Sequence, residues 1–242
     1  CARVVRAPGR STAGESADAV VRSARVETCR SRQALDSALD AAMPCLTEES
    51  GHGLLLFLLS LLLSRGLDGV RSDMDDPSTG LMGAHGYCNM DLVNLLITGR
   101  AASNVFDGDK DLGGMVLGGV KSDAEIGLLT LFEWYRDHEV GERLKRPRCP
   151  VWVVCSESHF TTVHALDGGA ASDAPSFDLV YFDGLANQDE PVRLTVRRDP
   201  GGGHSAKYPD RPLGTLEPPL EYIIETRWPG SAVDWNGAEK IL

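Results

Sequence analysis

The spacing of hydrophobic residues divides the chain into a helical first half and a strand-rich second half. Apolar residues recur every three or four positions over 33–43 and 89–98, which is the period of a helix. We expect Pro44 to end the first of these helices. The segment 53–64 is apolar on every side and therefore predicts a central, buried helix. A capping box of the form Ser-Asp-Ala-Glu predicts a further helix over 122–135.

Short apolar runs bounded by proline and glycine follow in the second half, and they predict β-strands. The runs lie at 151–155, 160–166, 177–183, 192–197 and 220–227. Residues 199–218 are rich in glycine and proline and predict a surface loop. Helices followed by strands that are joined through turns predict an α+β fold with an antiparallel sheet.

The first residues of the chain lack a clear hydrophobic period. Residues 1–28 are rich in arginine, alanine, serine and glycine, so we expect a loosely ordered lead-in or fragment edge there. The chain as a whole is long enough to bury one generous core or two small ones.

Charge and composition exclude several classes of protein. The chain has 35 acidic against 24 basic residues and a net charge of −11, whereas nucleic acid binding requires a basic surplus on one face. The longest apolar stretch, 54–63, is about half of the ~20 residues that cross a membrane. Six cysteines without a C-x-x-C pair indicate reduced thiols in a cytoplasmic or nuclear protein.

The most specific chemical feature is a histidine at a strand turn. The predicted strand 151–155 leads into the polar residues 156–158, and His159 opens the next strand. A histidine that acts as a general base needs a fixed ring, an open side and room for an orienting partner, and the start of a strand at a turn is such a position. The alternative is a structural histidine whose ring is satisfied by the backbone of its own turn.

Asp183 is a candidate for the orienting partner of that histidine. It ends the predicted strand 177–183, where a carboxylate can hold an imidazole in one tautomer. Asn187 and Gln188 are alternatives for the same role, or for binding the backbone of a substrate. Each of the three could equally be a turn residue, since Asp-Gly and Asn favour turns for local reasons.

Cys88 is the best-placed nucleophile in the chain. It directly precedes the predicted helix 89–98, where the helix dipole favours a thiolate. A Cys88–His159 dyad is therefore the local candidate for nucleophilic catalysis. The structural alternative is a small thiol buried beneath that helix.

A metal site built from Cys149, Cys155, His159 and His164 is disfavoured by spacing. Zinc sites favour two to four residues between cysteines, whereas five separate these two. His159 and His164 are five positions apart, so a regular strand points them to opposite faces. We predict no metal and no other cofactor.

Several segments resemble the MINDY family of deubiquitinases, in its larger-member branch. These segments are VWVVCSESHF at 151–160, GAHGYC at 83–88, LVNLLITGRAASNVF at 92–106, YFDGLANQ at 181–188 and the end of the chain from 233. They follow one another in the order of the family over roughly residues 50–242.

The resemblance implies a papain-like cysteine protease fold, with residues 29–242 as the C-terminal part of one catalytic domain. It implies hydrolysis of isopeptide bonds in lysine-forty-eight-linked polyubiquitin by a cysteine nucleophile, a histidine base and a glutamine oxyanion donor. It places the histidine at His159. It places the cysteine and the glutamine in an upstream segment of Asn-x-Gly-Gly-Pro-Cys-Gly type, which this sequence does not contain. Cys88 matches a family position that is not the nucleophile.

Two functions follow from this interpretation, and both have polyubiquitin as the partner. The first is the histidine-bearing part of a thiol deubiquitinase, whose missing N-terminal half carries the nucleophile. That part alone is expected to be inactive, because it lacks both the attacking thiolate and the oxyanion donor. The second is a catalytically inactive ubiquitin-binding module, that is, a pseudoenzyme.

Overall fold

The computed structural model describes residues 1–9, 12–83, 86–170, 174–186, 188, 190–198 and 219–240. The chain divides into two compact units, Cys1–Ser103 and Asn104–Leu242. This division falls at a different place from the boundary near residue 28 that the sequence predicts.

The first unit is mainly helical. Its elements are β1 (Ala2–Arg6), α1 (Ala17–Ser23), β2 (Arg25–Cys29), α2 (Arg32–Leu46), α3 (Gly53–Arg65), α4 (Leu67–Asp73) and α5 (Met90–Thr98). The strands β1 and β2 pair antiparallel along their whole length. The described residues of 1–28 thus contain two paired strands and a helix, whereas the sequence leads us to expect a loosely ordered lead-in or a fragment edge there.

Serine side chains of α3 explain why this lead-in is ordered. On the edge of β1, the Val5 N–H donates to Ser60 Oγ at 2.8 Å, and the Arg3 N–H donates to Ser64 Oγ at 2.7 Å. These bonds satisfy backbone groups that strand pairing leaves open on that edge. The serines lie more than fifty residues away in sequence, so no local pattern over 1–28 reveals the strand.

The helix predictions in this unit have mixed outcomes. The helix α5 is confirmed, with Asn89 accepting from the Leu92 N–H at its start and Gly99 left-handed at its end. The prediction that Pro44 ends α2 is wrong, because Pro44 lies in the last turn, where its missing N–H costs one bond. The helix over 53–64 is confirmed as α3, but it is not buried on every side, since Leu54 is 69% exposed.

No single helix among the described residues is both long and apolar enough to cross a membrane. The consecutive helices Gly53–Arg65 and Leu67–Asp73 meet those criteria only when taken together, and they are bent by 84° at their junction.

The second unit is built on a six-stranded sheet. Its elements are β3 (Asp109–Asp111), β4 (Val116–Gly118), β5 (Gly127–Thr130), α6 (Leu131–Trp134), α7 (Glu142–Lys145), β6 (Val151–Ser156), β7 (His159–Ala165), β8 (Ser176–Phe182), β9 (Val192–Arg197), α8 (Pro219–Arg227) and β10 (Ala232–Asp234). The strand order is β10-β9-β8-β7-β6-β5, and all neighbours are antiparallel except β5 and β6. The α+β prediction is confirmed.

Two predicted elements in this unit are of the wrong type. Residues 220–227 form the helix α8 instead of a strand, because Leu220, Ile223 and Ile224 lie on one buried helical stripe. Within 122–135, residues Gly127–Thr130 form the strand β5, which is buried on both faces as a parallel strand usually is. The predicted loop at 199–218 lies outside the described residues.

Aromatic side chains form the core beneath the sheet. The rings of Trp152 and Trp228 meet edge to face at 5.4 Å, and Phe177 lies 4.9 Å from Trp228. The indole N–H groups of Trp152 and Trp228 donate to the carbonyls of Lys145 and Ala170, respectively, so these buried polar groups are satisfied. This core ties α8 to the sheet and makes the sheet a rigid base for the side chains at its end.

Candidate active site

A two-residue turn between β6 and β7 carries the histidine. Ser156 pairs with His159 across the turn, and Glu157 adopts φ 56°, in the left-handed region that non-glycine residues rarely occupy. The Cys155 thiol donates to the Glu157 carbonyl at 3.4 Å. Burial raises the pKa of the Cys155 thiol, so it stays protonated as this donor requires. His159 is therefore fixed as the first residue of β7.

The pleat of β7 separates its two histidines, as the sequence predicts. His159 lies on the same face as Thr161 and Val163, both of which are buried in the core. His164 lies on the opposite face and is exposed. At the end of the sheet the core face opens, and the His159 side chain is 38% exposed.

The structure brings His159 and Asp183 together. The Nε2 atom of His159 lies 2.7 Å from Oδ2 of Asp183, a carboxylate that is almost fully buried. Antiparallel pairing of β7 and β8 places the start of β7 beside the end of β8, and Asp183 directly follows that end. The ring partner is thus a carboxylate from the neighbouring strand and not the backbone of its own turn.

Asp183 is ionised at neutral pH. Burial alone would raise the pKa of this carboxyl, but the Leu185 N–H, the His159 imidazole and the Ala186 N–H outweigh it and hold the pKa below its usual value. The Leu185 N–H donates to Oδ1 at 2.9 Å. Asp183 is therefore both a turn residue and the partner of His159, since one oxygen serves each role.

Gln188 is bonded to the backbone at the end of β8. Its Oε1 accepts from the Asp183 N–H at 2.8 Å, and its Nε2 donates to the Tyr181 carbonyl at 3.1 Å. The side chain that the sequence offers as a substrate ligand therefore contacts this protein's own strand end. Asn187, the other candidate, lies outside the described residues.

The remaining ring nitrogen of His159 is available for chemistry. Over the ranges that the structure describes, Nδ1 has no hydrogen-bond partner. A carboxylate can only accept, so Nε2 carries the proton and Nδ1 carries the lone pair in the neutral ring. Such a ring can take a proton at Nδ1, and the resulting imidazolium is stabilised by Asp183.

Cys88 is exposed, so the alternative of a thiol buried beneath α5 is wrong. It forms an isolated β-bridge with Met82 and precedes Asn89, the residue that caps α5. Cys88 belongs to the first unit and His159 to the second. The Cys88–His159 dyad stays a prediction.

The cysteines and histidines do not form a metal centre in the described part of the chain. No group of three or more His, Cys, Asp or Glu side chains is placed there to hold an ion. All six cysteines are described, and none forms a disulfide. Cys149 is exposed while Cys155 is buried.

In His159, one ring nitrogen is bonded to an ionised carboxylate and the other is left for a nucleophile. This arrangement is typical of hydrolases that work through a histidine-activated hydroxyl or thiol. Comparison with known proteins identifies the family to which the chain belongs. The chain belongs to a family of deubiquitinating enzymes, because residues 7–237 match the family described as "Deubiquitinating enzyme MINDY-3/4, conserved domain".

Individual members of that family show the same similarity. The chain is 46% identical over 205 residues to the "Probable ubiquitin carboxyl-terminal hydrolase MINDY-4" of Mus musculus, covering 81% of the chain and 26% of the mouse protein. It is 44% identical over 205 residues to the Homo sapiens protein of that name, with the same coverage. It is 44% identical over 126 residues to the "Ubiquitin carboxyl-terminal hydrolase MINDY-3" of Homo sapiens, covering 51% and 28%.

These similarities concern only part of each relative. The chain spans about a quarter of the length of the MINDY-4 relatives that it matches. No solved structure matches the chain.

Proposed function

We propose that His159 is the general base of a thiol deubiquitinase that hydrolyses isopeptide bonds in lysine-forty-eight-linked polyubiquitin. The observation that carries the proposal is the 2.7 Å contact between His159 Nε2 and Asp183, which leaves Nδ1 for a sulfur. Membership of a deubiquitinase family supports ubiquitin as the substrate. The preference for one linkage rests on the family resemblance.

In the first step, Nδ1 of His159 takes the proton of the catalytic thiol. The thiolate then attacks the carbonyl carbon of the isopeptide bond, and the negative charge moves to the carbonyl oxygen. Asp183 keeps the ring in the tautomer with Nε2–H and stabilises the imidazolium, because its own carboxyl is ionised at neutral pH.

In the second step, the imidazolium returns its proton to the departing lysine amine, and a thioester between ubiquitin and the enzyme remains. Nδ1 then takes a proton from a water molecule, which attacks the thioester. The thiolate leaves, the imidazolium returns its proton to it, and the new carboxyl group gives up its proton, which the freed lysine amine takes up. The products are a ubiquitin carboxylate, a lysine ammonium and the restored thiol, so atoms and charges balance over the cycle.

The thiol and the oxyanion donor come, in this proposal, from the Asn-x-Gly-Gly-Pro-Cys-Gly segment of the family. The described sheet then supplies the histidine side of a papain-like catalytic domain, and residues 1–242 alone are inactive. Without the thiolate, His159 has no group to activate, whatever its geometry.

A second candidate function is a ubiquitin-binding module without catalysis. Such a module needs no cysteine in a segment of that type, and none of the six cysteines within residues 1–242 lies in one. A ubiquitin probe that traps active-site thiols separates the candidates. Labelling at Cys88 would establish the local dyad, whereas ubiquitin binding without labelling would support the module.

The test of catalysis uses the protein at its full natural length and ubiquitin dimers of defined linkage. We expect cleavage of the lysine-forty-eight-linked dimer, loss of cleavage in His159→Ala, and unchanged ubiquitin binding in that variant. The matched control is His164→Ala, which removes an exposed imidazole from the opposite face of β7 and should leave kcat unchanged. Parental kcat in His159→Ala would show that the base is another residue.

A further inference from the structure

The backbone of Asp183 is held by a side chain and not by a neighbouring strand. The paired registers of β8 end at Phe182 on the β7 side and at Tyr181 on the β9 side, so Asp183 lies just beyond the ladder. Its N–H donates to Oε1 of Gln188 at 2.8 Å. The bond that a further strand residue would supply is thus made by an amide side chain.

The same amide is anchored on the sheet. Its Nε2 donates at 3.1 Å to the carbonyl of Tyr181, a buried residue that is paired with Val163 and Val192. The planar amide therefore donates to the carbonyl of residue 181 and accepts from the N–H of residue 183. An adjacent strand makes the same pair of bonds. The backbone is therefore held one residue beyond the end of the strand pairing, at Asp183, whose side chain is the carboxylate.

We infer that Gln188 is a positioning residue, which sets the tautomer and orientation of His159 by fixing Asp183. The inference rests on the proposed function of His159. The bonds form a continuous chain from the Tyr181 carbonyl, through the amide of Gln188, to the Asp183 backbone, and then from Oδ2 to His159 Nε2. Every bond in it is between 2.7 and 3.1 Å.

The loop after β8 cannot replace this anchor. The other bonds to the carboxylate come from the Leu185 and Ala186 N–H groups, which lie two and three residues on in the same turn and move with it. Without Gln188, the Asp183 N–H loses the acceptor that Oε1 provides, and the backbone at residue 183 loses its link to the amide that is anchored on Tyr181. The Oδ2 atom then has no fixed position relative to the His159 ring, which is itself fixed by β7.

The test reads the His159 ring in the 242-residue chain, without substrate. Long-range proton–nitrogen spectra of the labelled histidine rings distinguish a protonated from an unprotonated nitrogen, and loss of one set of signals in His159→Gln assigns the ring. At a pH where the ring is neutral, the parent is expected to show a single tautomer with the proton on Nε2. Gln188→Met, which is nearly isosteric and lacks the amide, should give the mixture of tautomers of a free imidazole.

Two further variants make the result specific. Asn236→Ala is the matched control, because Asn236 also donates from its amide to a backbone carbonyl, that of Arg193 in β9, at 2.9 Å. It should keep the single tautomer, whereas Asp183→Ala, which removes the acceptor, should lose it. If Gln188→Met fails to fold, Gln188→Asn retains polarity, is one methylene shorter and is expected to give the same mixture.

The outcomes separate the inference from the proposed function. A single tautomer in Gln188→Met, with a mixture in Asp183→Ala, would overturn the role of Gln188 and leave the histidine–carboxylate pair intact. A mixture in both Gln188→Met and Asn236→Ala would also overturn it, as a general loss of order. A single tautomer in Asp183→Ala would contradict the proposed catalytic pair itself.

Discussion

The carboxylate of Asp183 is bonded at both oxygens, with His159 Nε2 at 2.7 Å from Oδ2 and the Leu185 N–H at 2.9 Å from Oδ1. Burial would favour the protonated acid, but these donors prevail and lower the pKa of Asp183. The ionised form is therefore the one that the folded protein stabilises. Stability and the state of the candidate site are coupled through this one group.

Asp183→Asn is expected to lower the free energy of unfolding at neutral pH by about 1–3 kcal/mol, because a buried charged acceptor is lost. The folded pKa of Asp183 is below its unfolded value, so its contribution is present above the unfolded pKa and is lost as the pH falls through the folded pKa. Urea titrations at neutral and acid pH measure the difference between parent and variant, which should close on acidification.

The control for this measurement is Asp123→Asn. Asp123 forms an exposed ion pair with Arg143 in the same unit, and such pairs contribute about 0–1 kcal/mol. A difference between parent and Asp183→Asn that stays constant from neutral to acid pH would contradict the coupling.

The ion pair between Glu133 and Lys145 gives a second pH dependence, of opposite sign. The Nζ of Lys145 lies 2.5 Å from Oε1 of Glu133, and both side chains are nearly inaccessible. Burial raises the pKa of Glu133, and Lys145 opposes that effect. Lys145→Met removes the opposition and is expected to cost about 3–5 kcal/mol near neutral pH.

The stability that Lys145→Met loses should be smaller at acid pH than at neutral pH. A carboxyl with a raised folded pKa contributes most below its unfolded pKa, where both states are protonated, and loses that contribution as the pH rises through the folded pKa. Urea titrations over that range should show the gap between parent and variant widening with pH. The double variant Glu133→Leu with Lys145→Met removes the carboxyl and should show little of this widening.

The histidine hairpin could be predicted from the sequence because its determinants are local. The strands at 151–155 and 160–166 are observed as Val151–Ser156 and His159–Ala165, separated by the polar turn. Asp183 could be proposed as well, since antiparallel strands place the end of one beside the start of another. The bridging role of Gln188 could not, because it depends on the conformation of the loop that follows.

Tertiary contacts decide the elements that the sequence mispredicts. The isoleucines of α8 favour a strand by propensity, but their spacing buries one helical stripe against the sheet. The capping-box residues Asp123 and Glu125 instead pair with Arg143 and Arg148. Each outcome depends on a partner that lies far along the chain or in another layer.

The buried stripe of α8 should be essential to the second unit. Ile223 is fully buried in the core that includes Trp228, so Ile223→Ala is expected to cost about 2–5 kcal/mol. Urea denaturation should show a lower midpoint with an unchanged slope. Leu112→Ala is the control, since Leu112 is 60% exposed and its removal should change stability by less than about 0.5 kcal/mol. Equal effects of the two substitutions would mean that α8 does not cover the sheet.

The edge of β1 offers a prediction in which two variants control each other. The Val5 N–H has Ser60 Oγ as its acceptor, and the Arg3 N–H has Ser64 Oγ. Ser60→Ala removes the first acceptor only, so hydrogen exchange should accelerate at the Val5 amide and not at the Arg3 amide, whereas Ser64→Ala should do the reverse. Residue-resolved exchange measured on the two variants and the parent tests this. Fast exchange at both amides in the parent would show that residues 1–28 are loosely ordered after all, because an amide held by a serine of α3 exchanges only when the strand detaches from that helix.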